Sequence, residues 1–420
     1  MNPRKLALDA IGKILNKGGY SNIVINEYLN KYEFNEEDRK LFTKLVLGTV
    51  EKKLTLKYYL EPFLKKKQKS WVLNLLMMSI YQLIELNIPD YAVVNEAVEI
   101  ARLKDHYVAS FVNAVLRNFL RNDLRSFDNL NEIETLSIKY SYPLWLVTYF
   151  LKDYDYEVVE KIFQEFDKVK NDAIRVNTLK TTKDEVIKIL EENNIRFEES
   201  IIVENGLVVK ESLVNHKLFK EGKIIIQDLA SQLVSEIIDP KEGSIILDLC
   251  SAPGVKASHL ASLMNNTGEI YACDIYKHKL KLMEENFNRL GVKNVNIQLI
   301  DARKVKDFVK EESFDYVVAD LPCSGLGVLG HKVDLKYHIT YKAISEIIKL
   351  QKEILESSYM LVKKGGFFII STCTLNKLEN EKQVEAFLEN HPEFEIVYQK
   401  TIMPYEFHTD GFYICKLRRL

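Results

Sequence analysis

The stretch SIILDLCSAPGVKASHL, residues 244–260, changes its period partway along, and that change decides the fold. Its first half is a short apolar run rich in β-branched residues, the composition of a buried strand. Its second half carries apolar residues at helical spacing, and a turn of small residues around Pro253 and Gly254 separates the two. Strand, tight turn and helix in that order make one βα unit.

The same alternation extends outward. EIYACDI (269–275), VNIQLID (295–301), FDYVVAD (314–320) and GFFIISTC (366–373) are further short apolar runs, most of them separated by helical stretches. Strands of this kind predict a mostly parallel sheet covered by helices on both faces, so residues 224–420 are expected to form a Rossmann-like α/β domain. HPEFEIVYQ (391–399) and DGFYICKLRR (410–419) read as a closing antiparallel pair.

Upstream the pattern differs. DAIRVNTLK, Thr182 to Asn194, IRFEES and GLVVK read as strand, helix, strand and strand, so residues 166–223 are expected to form a small α+β domain. Residues 126–165 read as helical linker, with Pro143 in the first turn of one helix. Residues 1–125 repeat apolar positions at three- and four-residue steps, in LALDAIGKIL, RKLFTKLVLGTV, WVLNLLMMSIYQLIEL and VVNEAVEIARL. Asn35 with Asp38 marks a helix start, and Pro89-Asp90 separates two helices. This front part is an all-α bundle with no catalytic cluster, so binding is its expected task.

Bulk properties fit a multidomain chain. The 420 residues exceed one ordinary core, and 47% hydrophobic with 28% charged residues is a globular composition. The longest apolar stretch, Trp71 to Ile88, is interrupted by Asn74, Ser79, Gln82 and Glu85, which excludes a membrane span and predicts a buried helix. The start has no secretory pattern, and the five cysteines include no C-x-x-C pair, so neither a disulfide framework nor a metal site is expected. A cytoplasmic monomer with no membrane partner is the expectation. The formal charge of −2 hides a basic front: residues 1–125 carry 20 Lys+Arg against 14 Asp+Glu. Such a face suits an anionic partner.

The chemistry is read at strand ends, where open α/β sheets bind their ligands. Cys250, Ser251, Ala252, Pro253, Gly254, Val255 and Lys256 form the turn after the first strand. Asp274 follows Gly254 by twenty residues, the spacing at which an acid meets ribose hydroxyls. No G-x-G-x-x-G is present to hold a pyrophosphate. An acid-rich site without that cradle suits a cationic nucleoside such as S-adenosylmethionine, with Asp301 accepting from the adenine amino group. An aspartate at a strand end is often only a turn former, but Asp248, Asp274, Asp301 and Asp320 repeat the position at four successive ends.

Cys323 and Cys373 also stand at strand ends among small polar residues, whereas Cys250, Cys273 and Cys415 read as inert packing. Carbon 5 of cytosine is too weak a nucleophile to attack a methyl sulfonium. A thiolate added at carbon 6 makes it an enamine, and Asp320 could hold or protonate ring nitrogen 3. Two thiols, one acid and a nucleoside pocket complete that set.

DLCSAPGVKASHLA, ACDIYKHKL, DLPCSGLG and STCTLNKLENEKQVEAFL resemble the successive motifs of RNA 5-methylcytosine methyltransferases. The resemblance implies that Cys373 is the nucleophile, that Cys323 aids release, and that 250–256 with Asp274, Asp301 and Asp320 bind S-adenosylmethionine. NPRKLALDAI, DRKLFTKLVLGTV, IYQLIELNIPDYAVVNEAVEIA and FVNAVLRNFLR resemble the NusB-like domain of the RsmB (Sun/Fmu) family. That family acts on 16S ribosomal RNA, so the implied partner is this RNA or a ribosome assembly intermediate. IRVNTLK resembles its RNA-binding insert, which implies RNA contacts at Arg175, Asn177 and Lys256.

Transfer RNA as substrate, a DNA cytosine methyltransferase using Cys323, or a non-catalytic NusB-like RNA-binding factor are the competing readings. Two departures stand out. Val255 replaces a glycine of the family's Ala-Ala-Pro-Gly-Gly-Lys, and Gly330, His331, Val333 and Tyr337 replace its usual residues in a loop expected to meet RNA.

Overall fold

The computed structural model describes residues 2–168 and 171–420. It divides into two compact units. Among the described residues, no helix is long and apolar enough to cross a membrane.

The first unit is helical and comprises Met1–Asp167 together with His331–His338. Its helices start and stop at local signals. Asn2 accepts from the backbone of Arg4 and Lys5 ahead of Pro3, and Gly18 ends that helix in the left-handed conformation. Asn35 caps Glu36–Glu51 by accepting from Asp38 N at 2.7 Å. Ser70–Glu85 and Asp90–Lys104 flank Pro89. Ser70–Glu85 is the helix through the core, and two of its polar residues are accounted for locally. Ser79 Oγ donates to Leu75 O, and Gln82 Nε2 to Met78 O. Pro143 stands one position before the helix Leu144–Phe150, as its N-cap residue.

The segment 331–338 corrects one expectation. The expectation is a loop that meets RNA, and His331 is exposed, yet Val333, Asp334 and Lys336 are buried within the helical unit. Asp334 takes the place of an N-cap for Ser21–Lys31, accepting from Ser21 N at 3.1 Å and from its hydroxyl. The Lys336 ammonium lies 4.3 Å from the Tyr142 ring centroid, and the Tyr337 hydroxyl reaches Glu51 O at 3.3 Å. Groups committed in this way are not available to a phosphate.

The second unit holds two sheets. In the smaller, β1 (Asp172–Val176), β2 (Phe197–Glu199), β3 (Gly206–Val209) and β4 (Ile224–Ile226) lie in the order β2-β3-β1-β4, every neighbouring pair antiparallel. The apolar side packs on Val186 and Leu190 of the helix Lys183–Glu192. β4 falls within the span 224–420 expected for the Rossmann-like domain, but it pairs with β1 in the smaller sheet. Three consecutive isoleucines lack the alternation of a half-buried strand, and two of them are buried.

The larger sheet contains β5 (Ile245–Asp248), β6 (Glu269–Asp274), β7 (Val295–Leu299), β8 (Phe314–Asp320), β9 (Val362–Thr372), β10 (Phe394–Ile402) and β11 (Phe412–Arg419). Their order is β10-β11-β9-β8-β5-β6-β7. Strands β7, β6, β5, β8 and β9 are parallel, and β11 runs antiparallel between β9 and β10. Alternate residues serve opposite faces. Ile246, Val318 and Ile369 pack with the helices Leu229–Ile238, Val255–Leu263 and Lys277–Leu290. Leu247, Val317 and Phe368 pack with Tyr341–Ser358 and Glu381–Asn390. From β5 the chain proceeds to β6 on one side and later to β8 on the other, so the switch point lies between β5 and β8.

Candidate active site

The carboxyl ends of β5, β6, β8 and β9 carry the chemistry-bearing residues. After β5 the chain turns through Ser251 to Gly254, and Gly254 takes φ +88° while Val255 opens the helix. The one glycine left in the motif therefore carries the positive φ, and the replacement at Val255 costs no backbone strain.

Cys323 and Cys373 meet with their sulfurs 3.2 Å apart. Their loops are held at that separation by two devices. Gly327 N donates to Cys373 O at 3.0 Å, and Gly411 N donates to Gly327 O at 2.8 Å. A Cβ on Gly327 would fall 1.9 Å from Gly411 O, so only glycine permits this approach. The second device is Glu379. Its buried carboxylate accepts from Ser324 N at 2.8 Å and Asn376 Nδ2 at 2.7 Å, and also from the Ser324 hydroxyl. Burial pushes its carboxyl up, against the opposing effect of those hydrogen bonds. Sequence reading assigned Glu379 no role. Its signal was an acid followed by Asn380 six residues past a strand-end cysteine, with Asn380 accepting from Thr372 Oγ1 at 2.6 Å.

The charges beside the sulfurs are arranged in pairs. Lys256 Nζ donates to Asp320 Oδ2 at 2.6 Å, and Ser371 Oγ donates to Asp320 Oδ1 at 2.8 Å. Burial alone would push the Lys256 ammonium down, but Asp320, with Cys373 and Asp248 nearby, holds it above its ordinary value. The Cys323 thiol is pushed well up, first by its hydrogen bond to Cys373 and then by burial. The two sulfurs therefore differ in setting: Cys323 is the one driven to keep its proton, and Cys373 is the one whose charge is felt by the Lys256 ammonium. Asp248 is buried, and burial pushes its carboxyl up to about 7. Cys273 and Cys415 are buried and pushed up to about 12, outside the site. Cys250 lines it and is also pushed up by burial.

Two cavities meet at Cys250, Ala252, Asp320 and Cys373. One, of about 490 Å³, is lined by Asp274, Ile275, Ile300, Asp301 and Pro322. The other, of about 310 Å³, is lined by Asp228, Lys256, Asp410 and Phe412. The donor set of the larger cavity fits a cationic nucleoside: carboxylates at two strand ends, apolar walls between them, and no glycine-rich phosphate cradle. Asp274 accepts from Tyr276 N at 2.9 Å and faces Lys279 Nζ at 3.4 Å. Both oxygens of Asp301 already accept from Arg303, which holds its carboxyl below the usual range.

Arg175 and Asn177, expected to contact RNA, lie inside the fold, with both side chains buried. Arg175 donates to Gln227 Oε1 (2.8 Å), Val255 O (3.1 Å) and Ser258 Oγ (2.9 Å), and Asn177 donates to Gly222 O and Leu290 O. They fasten the small sheet to the helices of the larger one. Lys256 lies in the active site, paired with Asp320.

Residues 235–418 match the family model described as 16S rRNA methyltransferase RsmB/F. Residues 142–215 match the RsmF/B-like ferredoxin-like domain, and 1–121 match the NusB family. A probable ribosomal RNA small subunit methyltransferase B of Bacillus subtilis is 36% identical, over 99% of this chain and 98% of that one. Its counterpart in Synechocystis is 31% identical over the whole of both chains. The crystal structure of PH0851 superposes with a TM-score of 0.83 at 29% identity, covering 100% of this chain and 99% of that one.

Proposed function

Because the chain belongs to the RsmB/F family of 16S rRNA methyltransferases, we propose that it methylates carbon 5 of a cytosine in 16S ribosomal RNA through a covalent bond to Cys373. The observation that carries this reading is the pair of sulfurs 3.2 Å apart beside the Lys256–Asp320 ion pair, where two cavities meet. A methyltransferase acting on oxygen or an exposed amine has no use for two thiols in contact.

Bound S-adenosylmethionine supplies an electrophilic methyl group, and the cavity lined by Asp274 and Asp301 is the one suited to it. The smaller cavity is left for the base. Cys373 adds as thiolate to carbon 6, forming the sulfur–carbon bond as the carbon 5–carbon 6 double bond opens. Asp320 delivers a proton to ring nitrogen 3, so that the adduct is a neutral enamine with its electron pair available at carbon 5. With the cofactor bound, carbon 5 would take up the methyl group as the sulfonium–methyl bond breaks, the leaving group being a neutral thioether. While Cys373 is bonded to the base, its hydrogen bond, the largest cause of the upward shift on Cys323, and its charge no longer act on that thiol. Cys323 is then freer to ionise and take the carbon-5 proton. Loss of that proton expels Cys373 as thiolate and restores the aromatic ring.

The chain is expected to act in the cytoplasm as a monomer. The test is incubation of the full chain with unmodified 16S RNA and S-adenosylmethionine carrying a labelled methyl group. Label recovered as 5-methylcytidine after digestion supports the reading. Label recovered on another nucleoside, or none at all, overturns it.

A further inference from the structure

A cavity in the helical unit is lined by none of the catalytic groups. It measures about 520 Å³, more than either active-site cavity, and lies between the helices Pro3–Lys17, Lys53–Leu60 and Ser70–Glu85. Five lysines surround it: Lys53, Lys57, Lys65, Lys66 and Lys67. Glu61 is the sole acid in its lining, and that carboxylate already accepts from Arg125 Nη1 at 2.6 Å. No ion pair engages any of the five among the described residues. Lys53 stands 4.6 Å from the Tyr337 ring centroid, a contact that leaves its charge unneutralised.

Two further features favour an anion there. The 16-residue helix Ser70–Glu85 begins at the cavity with no side-chain cap and no acid in its first turn, so the positive end of its dipole is unopposed. Asn74, one turn further on, lines the cavity and is only 3% exposed, and its Nδ2 has no hydrogen-bond partner. A buried N–H group without an acceptor destabilises a folded protein. An oxygen-bearing ligand seated at this floor removes that cost. Leu15, Leu64, Leu73 and Met77 supply an apolar wall beside the cations.

We infer that this cavity is a binding site for phosphate esters, and that its occupant is a single-stranded stretch of the RNA substrate, its backbone on the lysines and a base against the apolar wall. A lysine run on a solvated surface needs no cavity, no buried amide and no uncapped helix end. The inference rests on the reading of the chain as an rRNA methyltransferase.

The experiment uses the full chain and compares Lys57→Gln/Lys65→Gln/Lys67→Gln with a control, Lys281→Gln/Lys342→Gln/Lys349→Gln, that removes the same charge from the second unit. Binding of a labelled 16S RNA fragment is followed by anisotropy from 50 to 200 mM salt. Each phosphate contact on a single strand contributes about 0.7 to the slope of log affinity against log salt, so the cavity variant is expected to lose about 2 in slope. Its KM for RNA should rise about tenfold at near-physiological salt with kcat unchanged, since three screened contacts are lost. An equal effect from the control set, or none from the cavity set, overturns the inference. Titration with adenosine triphosphate tests the other source of the same chemistry: tight binding lost in the cavity variant, with RNA affinity intact, overturns the assignment to RNA. Asn74→Asp provides a second probe, because a carboxylate at the floor should weaken RNA binding while circular dichroism confirms the fold. Failure of the reading itself is distinguishable, since the wild type would then methylate no RNA.

Discussion

At the residue scale, Asp248 and Glu379 are buried carboxyls with different tasks. Asp248 has its carboxyl raised from 3.8 to about 7 by burial. Between those values the folded chain keeps a proton that the unfolded chain has released. Its contribution to stability is therefore full at low pH and is lost as pH climbs through about 7. Asp248→Asn removes the titration, so its urea midpoint should gain on the wild type as pH rises from 5 to 7. Parallel midpoints over that range would contradict the assignment. Glu379 holds the two cysteine loops together through Ser324 and Asn376. Glu379→Ala should lower kcat about a hundredfold, the scale of a small misplacement of reacting atoms. KM for RNA should hold, and Glu379→Asp should restore part of the rate. A fall in RNA affinity with kcat intact would refute this positioning role.

At the scale of elements, the strands of the larger sheet were legible because each is an apolar run ended by a chemically distinctive residue. The small sheet was less so. Its last strand, Ile224–Ile226, has no alternation and no turn residue of its own to mark which sheet it joins. The surroundings of Arg175 were hidden for a related reason. A basic residue on a short strand looks like a phosphate contact, and nothing local reveals that Gln227, Val255 and Ser258, distant in sequence, surround its guanidinium. Arg175→Ala should destabilise the chain by about 3 kcal/mol, the cost of leaving buried partners unpaired. RNA affinity measured on the folded variant should stay within about twofold, since one lost phosphate contact would change it more. Urea unfolding and anisotropy together check both halves, and weakened RNA binding at wild-type stability would restore the original reading.

At the scale of the molecule, the chain order of the parts followed from the sequence, from helical front to small sheet to parallel sheet. What was hidden is that His331–His338 belongs to the helical unit. Its sequence, with two histidines and two lysines, reads as an exposed polar loop. Burial of Lys336 depends on Glu51 and Tyr142, which are almost two hundred residues or more away in the chain. The active site was legible for a different reason: its cysteines and acids lie at strand ends, and a parallel sheet brings all such ends to one edge.

In the proposed reaction Cys373 bonds to the base and Cys323 assists its release. The direct measurement is to incubate Cys323→Ala with 16S RNA and S-adenosylmethionine, denature the mixture, and map any protein–RNA bond by peptide mass spectrometry. The account predicts a persistent adduct on Cys373, absent from Cys373→Ala, which should also lose all methylation. An adduct on Cys323 that survives in Cys373→Ala, or full turnover by either variant, would contradict it.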